Sequence, residues 1–170
     1  EKGKNNIVQM LLNLKNPETG FPLININLKT SEGCNALQIA IYNNENNIVE
    51  MLLNLKNPEN NESLIDVNSK NTEGNTPLMF ALCSYKCSLI SMLINAKNLK
   101  NEHLVDFNLQ NNRKETALMF AINTKNPKIV KMLIDIKHPE TEHNLVDFNL
   151  QDKEGTTALM LAIEKNNNEI

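Results

Sequence analysis

Tryptophan is absent from this chain and aromatic residues make up only 4% of it, so any core it builds must be aliphatic. No apolar run approaches the roughly 18 residues a membrane-spanning helix needs, and the opening EKGKNN is not a signal peptide. Positive charge is not in excess. A net charge of -3 offers no bulk attraction for nucleic acid, and neither nucleic acid nor membrane is expected as a partner. There is no Gly-rich phosphate loop and no defensible Ser/His/Asp or Cys/His pairing, so no enzyme and no cofactor is expected. Three cysteines, Cys34, Cys83 and Cys87, form no spaced framework. An odd number outside a small secreted domain implies reduced thiols and a cytoplasmic setting, with translocation into a host cell not excluded by the sequence.

What the chain does have is 41% apolar residues, enough for a core and too many for disorder. Asn is unusually frequent, at 31 of 170 residues, which reads as the drift of an AT-rich genome rather than a function. The apolar residues recur with a period. GNTPLMFA at Gly74–Ala81 has counterparts in GCNALQIA, KETALMFA and GTTALMLA, whose final residues Ala40, Ala81, Ala121 and Ala162 lie 41, 40 and 41 residues apart. MLLN or MLI[ND] from Met10, Met51, Met92 and Met132 keeps the same step, as do Asn27, Asn68, Asn108 and Asn149. Three markers in one register define a tandem repeat.

Each unit reads as helix, short loop, helix, long loop. Thr76, with Asn35, Thr116 and Thr157 in the other units, is placed to cap a first helix, and Pro77 suits its first position. Leu78, Ala81 and Leu82 share its inner face. A left-handed turn residue should follow at Gly3, Asn44, Tyr85, Lys125 and Asn166, with strain at Tyr85 and Lys125. Second helices carry stripes such as Ile48, Val49, Leu52 and Leu53. They are expected to end at Lys15, Lys56, Lys97 and Lys137, where a cation favours the helix dipole by about 0.3–1 kcal/mol. Asn16-Pro17, Asn57-Pro58 and His138-Pro139 should stop them, and Asn98-Leu99 should stop its helix more softly. Short extended arms such as Leu64–Asn68 then lead into the next unit.

G-x-T-[AP]-L-x-x-A, followed by V-x-x-L-[LI], D-[VF]-N and [DN]-x-x-G, resembles the ankyrin repeat over the whole chain. The resemblance implies an all-α repeat solenoid of stacked helix-turn-helix units with long loops and short arms between them. A HEAT-like solenoid is the alternative, but it leaves the D-[VF]-N arms and Gly-x-Thr turns unexplained. The family repeats at about 33 residues, so about eight more lie between second helix and arm, expected as extra helix plus a longer loop. Gln38, Met79, Met119 and Met160 replace the family's usual His, which puts its links between repeats in doubt. Lys114 replaces a turn Gly and is expected to distort that turn. One repeat domain spans 1–170, as a partial repeat 1–30, repeats 31–71, 72–111 and 112–152, and a partial repeat 153–170. It reads as a segment of a longer array, monomeric in itself.

The resemblance further implies a scaffold that binds a protein through its concave face. Carried over by register, that face comprises Ser31, Glu32, Cys34, Tyr42 and Asn43, then Thr72, Glu73, Asn75, Cys83 and Ser84. It continues with Asn112, Arg113, Glu115, Asn123 and Thr124, and with Lys153, Glu154, Thr156, Glu164 and Lys165. Glu32, Glu73, Glu115 and Glu154 draw an acidic line on it, which suits a basic partner. The rival surface is the row of enlarged loops, and the rival function is a structural spacer with no specific ligand. No metal site is expected: the two histidines and two acids of His138–His143 have acids but no histidines in the matching loop Asn57–Glu62. Cys83 and Cys87 straddle a turn without a second ligand pair. The methionines keep repeat register and read as packing.

Overall fold

In the computed structural model, residues 2–167 are described, with side chains from residue 5 to 165. The described residues form eight helices: α1 Lys2–Leu12, α2 Ala36–Tyr42, α3 Asn46–Leu53, α4 Pro77–Cys83, α5 Cys87–Ile94, α6 Ala117–Asn123, α7 Pro127–Ile134 and α8 Ala158–Asn167. The even-numbered helices are the first helices of successive units and stack in one row, α2 on α4, α4 on α6 and α6 on α8. The odd-numbered second helices form a parallel row from α1 to α7.

The capping expectation holds in four units. Asn35 Oδ1 accepts from the Gln38 N–H at 3.0 Å, and the Thr76, Thr116 and Thr157 hydroxyls accept from the Met79, Met119 and Met160 N–H groups at 3.3 to 3.4 Å. Seven residues cannot hold a helix alone; burial does it. Leu37, Leu78 and Leu118 are buried between the rows, and Ala40, Ala81 and Ala121 let neighbouring first helices approach closely. Asn44, Tyr85 and Lys125 all adopt the left-handed conformation, with φ of 60°, 55° and 54°, so the turn is kept in all three. It is absent at Gly3 and Asn166, which lie inside α1 and α8. Among the described residues neither of those helices has a helical partner across the turn.

The added length is not helix. The α3, α5 and α7 helices end at Leu53, Ile94 and Ile134, each three residues before the recurrent lysine. Those lysines instead sit in isolated antiparallel bridges, Lys15 with Pro22, Lys56 with Ser63, Lys97 with His103 and Lys137 with Asn144. Each bridge closes a small hairpin. In the second unit Asn57 N–H donates to the Glu62 carbonyl and Leu64 N–H to the Leu55 carbonyl, while Asn61 turns the tip at φ 58°. Asn57 Oδ1 steers the turn by accepting from Glu59 N–H at 2.8 Å, and Asn98 Oδ1 does the same for Lys100 at 2.9 Å without a proline beside it. The α5 helix therefore stops as sharply as the others. Its hairpin is one residue shorter, which is the origin of the single 40-residue step.

The arms alternate as their sequence suggests, with Ile65 and Val67 buried and Asp66 exposed. Each arm is tied to the next by a bidentate asparagine. Asn68 donates Nδ2–H to the Leu104 carbonyl at 2.9 Å and accepts from Asp106 N–H at 2.9 Å. Asn27 and Asn108 repeat this pair on Leu64 with Asp66 and on Leu145 with Asp147. These bonds link the units where the family's histidine is missing. Gln38 adds one more, from Nε2 to the Asn75 carbonyl at 2.9 Å.

Candidate partner-binding face

The turns ahead of the first helices project side by side. Thr72 N–H donates to the Glu32 carbonyl at 3.0 Å, Asn112 N–H to Glu73 at 2.9 Å and Lys153 N–H to Arg113 at 3.0 Å, so successive tips are stitched backbone to backbone. Stitching leaves no room for a side chain at two of them. A Cβ on Gly33 would meet Thr72 N at 2.8 Å, and one on Gly74 would meet Asn112 N at 2.6 Å. Lys114 nevertheless holds the same conformation, φ 59°, and donates to the Asn111 carbonyl at 2.9 Å as Gly74 does to Asn71. The distortion expected there does not occur.

Between the tips and the C-terminal ends of the first helices lie two grooves. One, about 520 Å³, runs between the Glu32 and Glu73 tips, with Tyr42 on its rim and Ile39 and Phe80 beneath. The other, about 740 Å³, runs between the Glu73 and Arg113 tips, with Cys83 and Tyr85 along one side and Phe120 below. Of the residues expected on the concave face, the first groove gathers Ser31, Glu32, Cys34, Tyr42, Thr72 and Glu73. The second gathers Asn75, Cys83, Asn112, Arg113, Glu115, Asn123 and Thr124, and shares Thr72 and Glu73.

Seven others lie outside both grooves. Asn43 lines the hollow between α1 and α2. Ser84 turns its hydroxyl back to the Phe80 carbonyl at 3.1 Å. Lys165 lines a hollow beside Pro127. Lys153, Glu154, Thr156 and Glu164 belong to neither of the two grooves, and among the described residues α8 has no second helix of its own unit behind it. Cys34 is within the first groove but buried, so it belongs to the floor and offers a partner no free thiol. Sequence reasoning missed Ile39, Phe80, Phe120 and Tyr85. The first three hold one repeat position, and an apolar residue in register was indistinguishable from core; only the structure shows that Ile39 is exposed and the two phenylalanines half-buried.

Electrostatically the grooves are acidic and hydrogen-bonded. Glu115 accepts from Asn111 Nδ2–H at 2.8 Å and lies 3.9 Å from Arg113, and Glu73 accepts from Asn75 Nδ2–H at 3.0 Å. Partial burial, then the carboxylates of Glu115 and Glu73, push the Cys83 thiol up from its ordinary value. Burial and Glu32 do the same for Cys34. Neither thiol is tuned for nucleophilic chemistry. His138 acts as Asn57 does in its hairpin, its Nδ1 accepting from the Glu140 N–H at 3.3 Å. Among the described residues no three His, Cys, Asp or Glu side chains converge on a metal position, and no helix is long and apolar enough to cross a membrane.

The family described as ankyrin repeats (3 copies) matches residues 1–102, 56–137 and 95–170, which together cover the chain. The chain belongs to the ankyrin repeat family. No curated protein matches it. Ankyrin repeats are generally protein-interaction modules, typically without enzymatic activity. In this ankyrin stack the two grooves set apolar side chains beside polar turn tips that are joined backbone to backbone.

Proposed function

We infer that this chain is an interaction scaffold that holds a basic polypeptide along the face made by its turn tips and first helices. The observation that carries the reading is the groove beneath Tyr42. The tyrosine is 72% exposed and overhangs an apolar floor flanked by Glu32 and Glu73. An aromatic side chain held over an apolar floor is what interface hot spots are made of, and no packing role accounts for its exposure. The second groove continues the surface with Glu115 and Arg113. A standard interface covers about 800 Å² on each partner, which spans several units. The carboxylates act on association rate and salt dependence more than on final affinity.

Panning a displayed peptide library on the chain tests this. Selected peptides should be rich in Lys and Arg, and their binding should weaken as salt rises. Tyr42→Ala with Arg113→Ala should reduce affinity more than about tenfold. Lys128→Ala with Lys131→Ala is the control on the exposed side of α7; it removes one surface ion pair, Lys131–Asp135 at 2.9 Å, and should change affinity little. If the control pair disrupts binding and the groove pair does not, the face has been misplaced. If deleting Pro58–Ser63 alone abolishes binding, the hairpin row is the site. A chain that selects no peptide is a spacer.

A further inference from the structure

The chain has only two tyrosines, Tyr42 and Tyr85, and both stand exposed on the groove face, at 72% and 60%. Tyr42 ends α2 and overhangs the first groove. Tyr85 lies in the turn between α4 and α5 and lines the second. Both grooves run between interior units that have both of their helices, α2 with α3, α4 with α5 and α6 with α7. The two tyrosines do not share a repeat position. Cys83 stands where Tyr42 does one unit earlier, and Tyr85 stands where Asn44 does. A repeat by itself would keep an aromatic in register. Here each groove has its tyrosine, supplied from two different positions.

Position 85 is an unfavourable place for one. The turn needs a left-handed residue, and Tyr85 holds φ 55° while its N–H donates to the Leu82 carbonyl at 3.1 Å. Asn tolerates that conformation because its short side chain can bond locally, whereas a bulky side chain there is an outlier. Among the described residues seven non-glycine positions have positive φ; three are Asn44, Asn61 and Asn101, and Tyr85 is the one aromatic. Packing does not offset the strain, because Tyr85 is no part of the aliphatic core. A local rule broken without a packing gain marks a functional position. The ring shares its groove with Phe120, Glu73 and Glu115. A tyrosine face attracts Lys and Arg cations, and a side chain with two rotatable bonds is ordered at little entropic cost.

We propose that Tyr85 is a specificity-determining residue of the binding face, its ring the contact for a Lys or Arg side chain of the basic polypeptide in the second groove. The proposal rests on the polypeptide-binding reading and adds a second aromatic anchor to it. A partner then binds fully only when it fills both grooves, and the strained turn is held because it aims the ring at that partner.

Tyr85→Asn tests it, because it gives the turn the residue type already present at Asn44. A ring kept for binding and a ring kept for packing give opposite results. In urea unfolding the midpoint of Tyr85→Asn should rise above that of the native chain as the strain is relieved. Its affinity for a fluorescein-labelled peptide selected on the native chain should fall about fivefold or more. Tyr85→Phe keeps the ring and should stay within about twofold of the native chain. A midpoint that falls makes the tyrosine a packing residue and overturns the proposal. An affinity that Tyr85→Asn leaves unchanged while Tyr42→Ala lowers it also overturns it, and the binding face then stands without Tyr85. Tyr85→Phe falling as far as Tyr85→Asn overturns the role of the ring. If no peptide is selected, or if Tyr42→Ala and Tyr85→Asn both bind like the native chain, the polypeptide reading fails and this proposal with it.

Discussion

At the scale of single residues, most backbone strain sits in the turns. Asn44, Tyr85, Lys114 and Lys125 all hold positive φ, a conformation that costs an ordinary L-residue roughly 1–2 kcal/mol. For Gly33 and Gly74 a side chain is also excluded by the neighbouring tip. A lone chain shows the glycine but not the second reason for it, because the crowding comes from a backbone about 40 residues away. The same blindness affected Cys34, which register placed at the surface and packing put beneath it. Cys83 yields a residue-scale prediction. Its thiol is raised by partial burial and then by Glu115 and Glu73, and the thiolate is the reactive form. In a Cys87→Ser background, iodoacetamide should modify Cys83 more slowly at pH 7 than free cysteine, with the rate-versus-pH midpoint shifted upward. Replacing Glu115 by Gln removes one of the raising charges and should bring the midpoint down. A midpoint at or below that of free cysteine would contradict the environment described here.

At the scale of elements, the helices were legible because capping, turn and stripe signals agree in one register. The hairpins were not. A proline marks the latest point at which a helix can stop, not the point at which it does, so the second helices read three residues too long and the lysines were assigned to helix ends. The signals were present in Asn57 and Asn98, whose side chains organise the turns, but an Asn beside a Pro looks the same whether it stops a helix or opens a hairpin. The asparagine links between arms are the strongest element-scale prediction. Asn68→Ala removes two hydrogen bonds and leaves a carbonyl and an N–H of the third arm without those partners, so it should cost about 1–3 kcal/mol in urea unfolding. Asn149→Ala, at an exposed end of the series, should cost well under that. Equal losses would show that the links do not hold the units together.

At the scale of the molecule, one aliphatic core runs from Leu12 to Ala158 through every unit, and stability in such a stack is a sum over neighbours. Leu78→Ala or Leu118→Ala, deep in that core, should cost about 2–5 kcal/mol, while Leu11→Ala at the half-exposed end should cost less than about 1 kcal/mol; equal changes in denaturation midpoint at all three would deny the neighbour picture. The repeat, its period and its family were readable from the chain, since three markers recur four times. The grooves were only half readable, because register says which positions line up and not which apolar ones stay uncovered. The third hairpin, Lys97–His103, reaches the same helix and the same arm with one residue fewer than its counterparts. Chain length has thereby been uncoupled from the stacking geometry. Lengthening a surface loop costs only about 0.6 kcal/mol per doubling, so these four tips are where insertions and deletions can accumulate through descent while the α-helical rows stay in step.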